Sequence, residues 1–182
     1  MIVQLRGTSG SGKSTVVRNI MALKKDWIRV KVEGRKQPIG YLSVAEPALA
    51  VMGHYETACG GCDTIPSMDR IYDLIREAAD KGFNVLYEGL LISAEVNRAV
   101  ELGKTHDFLV LGIELPLEVC LASINERRRA KKPDAPDVNP KNTEAKWKQT
   151  QRSMVRLAES GVECRWGSRE EVERMARVAL GL

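Results

Sequence analysis

The residues with the most chemistry in them stand near the amino terminus, in the run Gly7-Thr8-Ser9-Gly10-Ser11-Gly12-Lys13-Ser14-Thr15. Glycines at this spacing let successive main-chain N–H groups turn inward, and a helix that begins at the lysine adds its positive dipole end. Such a cradle suits a polyphosphate. The Lys13 ammonium is expected at the terminal phosphates and the Ser14 hydroxyl at a magnesium ion. The run therefore implies ATP and Mg²⁺, with Gly7 through Thr15 as the nucleotide-binding set.

Other residues narrow the reaction. Glu88 ends the apolar run Leu86-Tyr87-Glu88-Gly89, where a single carboxylate can hold the metal, directly or through water, or polarise an acceptor hydroxyl. Asp63 closes the glycine-rich stretch His54-Tyr55-Glu56-Thr57-Ala58-Cys59-Gly60-Gly61-Cys62-Asp63. It is the first candidate for general base, with Glu88 as its rival, and spacing does not choose between them. Arg127-Arg128-Arg129 follows a helical pattern, and a planar, permanently charged guanidinium suits a transferring phosphoryl group. Arg127 and Arg128 are both candidates, with the inward one undecided. Cys59 and Cys62 with His54 are an incomplete zinc set, and a tight loop permitted by glycine is the simpler reading. A guanine-reading Asn-Lys-x-Asp is absent from the sequence. A phosphotransferase acting on a hydroxyl is thus favoured over a GTPase switch or a motor.

Elements to position these groups are legible. Apolar runs at Ile2–Leu5, Ala48–Met52, Asn84–Gly89, Phe108–Ile113 and Val162–Trp166 read as buried parallel strands. Between them lie helical patterns: Ser14–Leu23, a helix capped by Ser67 and ended by Gly82, one from Ser93 to Gly103, one after Pro116, one from about Thr143 to Ser160, and a last one behind the capping box Ser168-Arg169-Glu170-Glu171. The alternation predicts an α/β P-loop NTPase fold, a three-layer sandwich whose five-stranded parallel sheet carries helices on both faces. Strict alternation at Ile28–Glu33, turn residues at Gly34–Pro38 and an extended Ile39–Leu42 add an inserted basic β-hairpin at about 28–44. The proline-rich segment from Lys131 to Pro140 marks a lid at about 125–145.

With 182 residues, 43% hydrophobic and 29% charged, the chain suits one soluble domain. No apolar run reaches a bilayer's width, the start does not read as a signal peptide, and four cysteines are too few for a disulfide scaffold. A cytoplasmic protein with no membrane partner is expected. The net charge of +4 is gathered in two blocks, Arg18–Lys36 and Arg127–Lys148, which suits an anionic substrate.

The segment Leu111 to Arg129 resembles the fourth strand and lid of nucleoside and nucleotide kinases. The phosphate loop, the hairpin segment Gly34-Arg35-Lys36-Gln37-Pro38-Ile39-Gly40-Tyr41, and Gly53 through Asp63 together resemble the phage 5-hydroxymethyluracil DNA kinases, relatives of thymidylate kinases. The resemblance implies ATP-dependent phosphorylation of the 5-hydroxymethyl group of a pyrimidine already in DNA, a step of thymidine hypermodification in the host cytoplasm. It also implies adenine contacts from the lid helix and from the loop after the fifth strand, near Trp166-Gly167-Ser168-Arg169. A free nucleoside or nucleotide kinase of thymidylate type is the alternative. A DNA acceptor requires an extruded base or a single strand. The hairpin cations Arg29, Lys31, Arg35 and Lys36 then supply phosphate contacts, and Trp27, Tyr41, Tyr55 and Trp147 are stacking candidates.

Overall fold

The computed structural model describes residues 1–57 and 60–182. Among these, seven strands form one sheet: β1 (Ile2–Arg6), β2 (Ile28–Val30), β3 (Gly40–Ser43), β4 (Leu49–Met52), β5 (Asn84–Glu88), β6 (Phe108–Ile113) and β7 (Glu163–Gly167). Their spatial order is β2-β3-β4-β5-β1-β6-β7. The five expected strands are parallel neighbours, with β1 between β5 and β6. The hairpin is not a separate appendage. Its strand β3 pairs antiparallel with β4, Tyr41 opposite Val51, and continues the same sheet.

The helices are α1 (Lys13–Met21), α2 (Met68–Asp80), α3 (Asn97–Thr105), α4 (Leu117–Lys131), α5 (Pro140–Glu159) and α6 (Arg169–Leu180). None is long and apolar enough to cross a membrane. Strand side chains alternate between two layers, as a pleat of period two requires. Ile2, Ala50, Val85 and Val110 pack with residues of α2, α3 and α5, whereas Val3, Leu5, Leu86 and Leu111 pack with α1 and α6. Loops following the carboxyl ends of β1, β4 and β5 therefore converge at one end of the sheet, around the start of α1.

Several boundaries differ from the sequence pattern, among them α3, which runs through Gly103 to Thr105; three have a clear local reason. The alternation at Ile28–Glu33 promises a longer strand, but only Ile28–Val30 finds partners, and the chain turns at once through an Arg35 N–H to Val32 carbonyl bond of 3.1 Å. Ser93 does not start a helix. Its hydroxyl donates to the Gly89 carbonyl at 2.6 Å within a short 3-10 turn, and the Glu95 carboxylate instead accepts the N–H groups of Arg98 (2.8 Å) and Ala99 (3.1 Å) at the start of α3. α5 begins at Pro140, with Asn139 accepting the Lys141 N–H at 3.0 Å, because proline in the first turn gives up an N–H that has no partner there anyway. At α6 the capping box of Ser168 and Glu171 is present with both of its bonds.

Arg6, fully buried at the end of β1, links these parts beneath the glycine loop. Its guanidinium donates to Gln4 Oε1 (3.0 Å), Ser153 Oγ (3.1 Å) on α5 and the Glu95 carbonyl (2.6 Å). A buried cation with several acceptors is costly to strip of its role, since its removal orphans every one of them.

Candidate active site

The phosphate loop leaves β1 at Gly7 and enters α1 at Lys13. Gly10 and Gly12 have φ of 79° and 92°, and a Cβ on Gly10 would lie 2.3 Å from the Cys120 carbonyl oxygen of α4. Only glycine fits this left-handed conformation pressed against a neighbouring helix. Lys13 is buried, its Nζ donating to the carbonyls of Gly7 (2.7 Å) and Thr8 (3.1 Å). The hydroxyls of Thr8 and Ser11 are buried with no hydrogen-bond partner among the described residues, which is uncommon for buried polar groups. Ser9, Gly10, Gly12, Lys13, Ser14 and Thr15 line a cavity of about 330 Å³.

Glu88, at the end of β5 beside Leu5 of β1, is 2% exposed. Its Oε1 accepts the Ser14 hydroxyl at 2.7 Å. Burial raises its carboxyl pKa, against the lowering influence of Lys13 and then Ser14. Mg²⁺ keeps several waters and takes one or two protein oxygens beside phosphates. A half-buried hydroxyl and a buried carboxylate already in contact fit that donor set.

Asp63 reaches the same cavity from the segment after β4. Its Oδ2 accepts the Leu90 N–H at 2.6 Å and its Oδ1 the Leu91 N–H at 3.0 Å. One carboxylate thus ties this loop to the turn that follows Glu88. Gly61 sits at φ 77°, and a Cβ there would come within 2.5 Å of Glu88 Oε1. That is the physical reason for glycine between Cys62 and its neighbours. Gly61→Ala should lower unfolding free energy by about 1–3 kcal/mol, read from urea denaturation. A midpoint equal to wild type would show that the loop has another way to pack.

Of the arginine pair, Arg127 lines the cavity. Arg128 turns away, its Nε donating to the Pro136 carbonyl at 3.1 Å, while Arg129 pairs with Asp137. Two further cations line the cavity that motif reading did not assign to the chemistry: Arg18 and Arg169. Arg18 lies four residues after Ser14 and so shares its helical face, a signal present in the sequence. Arg169 opens α6 against Gly12, its Nε buried without a partner among the described residues. Only the fold brings it there.

The aromatic candidates have other employment. Tyr55 is buried and donates its hydroxyl to the Met52 carbonyl at 3.1 Å, with its ring tilted against Tyr41. Trp27 and Trp147 donate to the carbonyls of Met21 (2.8 Å) and Leu115 (3.0 Å). Tyr41 and Tyr55 are core rather than stacking surfaces. His54 is buried, and its main chain bridges to Gly61. Cys62 is buried, and burial pushes its thiol pKa well up, while Cys59 lies outside the described residues.

Burial also lowers the Lys13 pKa, partly offset by Glu88 and then Asp63. A polyphosphate prefers the charged ammonium, so nucleotide affinity should be full below the lowered pKa and fall as pH rises through it. Binding at alkaline pH should then take up a proton. Calorimetry in two buffers of different ionisation enthalpy measures that uptake; none anywhere in the alkaline range would mean that Lys13 does not face the bound charge.

No protein-family model matches the chain. Over 164 residues it is 55% identical to the 5-hmdU DNA kinase of Pseudomonas phage PaMx11, covering 88% of this chain and 87% of that protein. It is 32% identical over 146 residues to the 5-hmdU DNA kinase of Pseudomonas phage M6, covering 71% and 73%. The 5-hmdU DNA kinase of Bacillus phage SP10 is 24% identical over 170 residues, 89% of this chain but 26% of that longer protein. Among solved structures, deoxyadenosine kinase from M. mycoides with bound dATP aligns over 100% of both chains with a TM-score of 0.47 and 12% identity. With 55% of the aligned residues identical to the PaMx11 protein, over 88% of this chain and 87% of that one, the chain belongs to the 5-hmdU DNA kinase family.

Proposed function

We propose that this protein transfers the γ-phosphoryl group of ATP to the 5-hydroxymethyl oxygen of 5-hydroxymethyluracil in DNA, in the cytoplasm of the phage's host. The acceptor rests on one observation, the near full-length likeness to the PaMx11 5-hmdU DNA kinase. The chemistry is supported by the single cavity that carries the phosphate loop, Glu88, Asp63 and Arg127 together.

In this reading the amides of Gly7 through Thr15 hold the triphosphate, with Lys13 and Arg127 set against the charge that develops on the phosphoryl oxygens. Arg169, from the segment that the family resemblance places near adenine, joins them at the nucleotide end. Ser14 and Glu88 would hold Mg²⁺, which would supply positive charge against the phosphates. Asp63 takes the proton of the acceptor hydroxyl as the hydroxyl oxygen bonds to the γ-phosphorus. The bond from that phosphorus to the β-bridging oxygen breaks, and ADP leaves. The product carries a phosphate where hydroxide would have been a poor leaving group, which prepares that carbon for displacement. The end of α4 and the following loop act as the lid, Arg128 and Arg129 bracing it while Arg127 reaches inward. A base stacked in a duplex cannot enter such a cavity, so it is extruded at a cost of roughly a few kcal/mol.

The test offers labelled ATP with four acceptors: DNA containing 5-hydroxymethyluracil, unmodified DNA, dTMP and 5-hydroxymethyl-dUMP. Label on the modified DNA alone is expected. Label confined to free nucleotides would end the DNA reading, and phosphate release with no labelled acceptor would end the kinase reading.

A further inference from the structure

Three elements grip the segment between β4 and α2, and two of the grips use guanidinium groups turned inward. From α1, Arg18 donates Nε to the Tyr55 carbonyl at 3.1 Å and Nη2 to the Thr57 carbonyl. From the hairpin turn, Arg35 donates Nη2 to the Thr64 carbonyl at 2.6 Å, and its Nε is buried without a partner among the described residues. The third grip is Asp63 on the amides of Leu90 and Leu91. Arg29 behaves differently: its pair with Glu56 is largely exposed, and such pairs hold little in place. Lys31 and Lys36 are exposed outright.

The four hairpin cations therefore do not share one task. We propose that Arg35 is a positioning residue, which with Arg18 fixes the loop bearing Gly60 and Asp63 against the phosphate loop, so that the inward side of the hairpin is a strut for the acceptor site. This rests on the reading of that loop as the acceptor side of the cavity. The outward cations Arg29, Lys31 and Lys36 remain for DNA phosphates. The argument is geometric. A cation that faced DNA would present its N–H groups to solvent, whereas Arg35 spends one on a main-chain carbonyl and buries another. Reacting groups displaced by about 1 Å lose roughly 10²-fold in rate, so a strut acts on turnover. Phosphate contacts act instead on affinity and its salt dependence, about one unit of slope each.

The experiment measures kcat, the KM for 5-hydroxymethyluracil DNA at several salt concentrations, and the Kd of a non-hydrolysable ATP analogue for Arg35→Met, Arg35→Lys and the double variant Lys31→Ala/Lys36→Ala. For Arg35→Met, kcat should fall about 10²-fold with analogue affinity and salt slope unchanged. Arg35→Lys, which keeps a donor and the charge but not the fork, should recover part of that loss. The double lysine variant should flatten the salt slope. A wild-type kcat in Arg35→Met with a flattened slope would overturn the proposal and make Arg35 a phosphate contact. If methionine prevents folding, Arg35→Lys decides alone: reduced kcat at unchanged slope supports the strut, and wild-type kcat refutes it. Should wild-type protein label only free nucleotide, the DNA reading fails separately, and the Arg35 effect is then read in kcat on that nucleotide.

Discussion

Replacing Lys13 with alanine should reduce phosphoryl transfer by about 10³-fold or more, equivalent to roughly 4 kcal/mol of transition-state stabilisation. Lys13 is the cation most completely removed from water in the cavity, so its charge is weakly screened there. In the free protein its ammonium spends two donors on the loop carbonyls of Gly7 and Thr8. The substitution therefore removes an internal brace of the loop as well as a charge. Single-turnover assays with labelled ATP measure the loss, and the urea midpoint separates it from unfolding. The glycine amides and the start of α1 persist, so part of the nucleotide affinity should survive. A variant that keeps a tenth of the wild-type rate would mean that the terminal phosphates lie elsewhere.

Asp63→Asn should lower kcat by about 10²–10³-fold while ATP still binds, within the roughly 10²–10⁴-fold that general bases contribute. Glu88→Gln is its comparator and should chiefly raise the magnesium concentration required, because Glu88 is buried against Ser14 whereas Asp63 is exposed at the cavity wall. Asparagine also disturbs structure, since both Asp63 oxygens accept amides and an amide group offers only one acceptor atom. An acceptor with a more acidic hydroxyl distinguishes the two effects. It should recover rate in Asp63→Asn if a base has been lost and gain nothing if the loop has merely moved. Full activity in Asp63→Asn together with collapse in Glu88→Gln would transfer the role of base to Glu88.

The glycine loop between β1 and α1, the five parallel strands and the α6 cap were legible because each is written in a short contiguous stretch. Glycine conformations, strand burial and a Ser-x-x-Glu box depend on near neighbours in the chain. The Ile28–Glu33 alternation likewise announced the hairpin, but its pairing into the main sheet depends on β4, which lies beyond it in the chain. Ser93 illustrates the opposite limit, a good capping residue whose hydroxyl is claimed by Gly89.

What the amino-acid order determined by itself is a glycine loop between a strand and a helix, of the kind that suits a polyphosphate, with a lysine and a hydroxyl at its rim and a choice of carboxylates and arginines nearby. The tertiary structure decided which of them gather: Glu88 on Ser14, 74 residues away, Arg127 inward and Arg128 outward, Arg169 beside Gly12, and Tyr41 and Tyr55 in the core. The reason is one of range. A ring of main-chain amides is set by dihedral preferences within a few residues, whereas the direction of a long charged side chain is set by whichever carbonyl, carboxylate or cavity the rest of the fold brings within its reach.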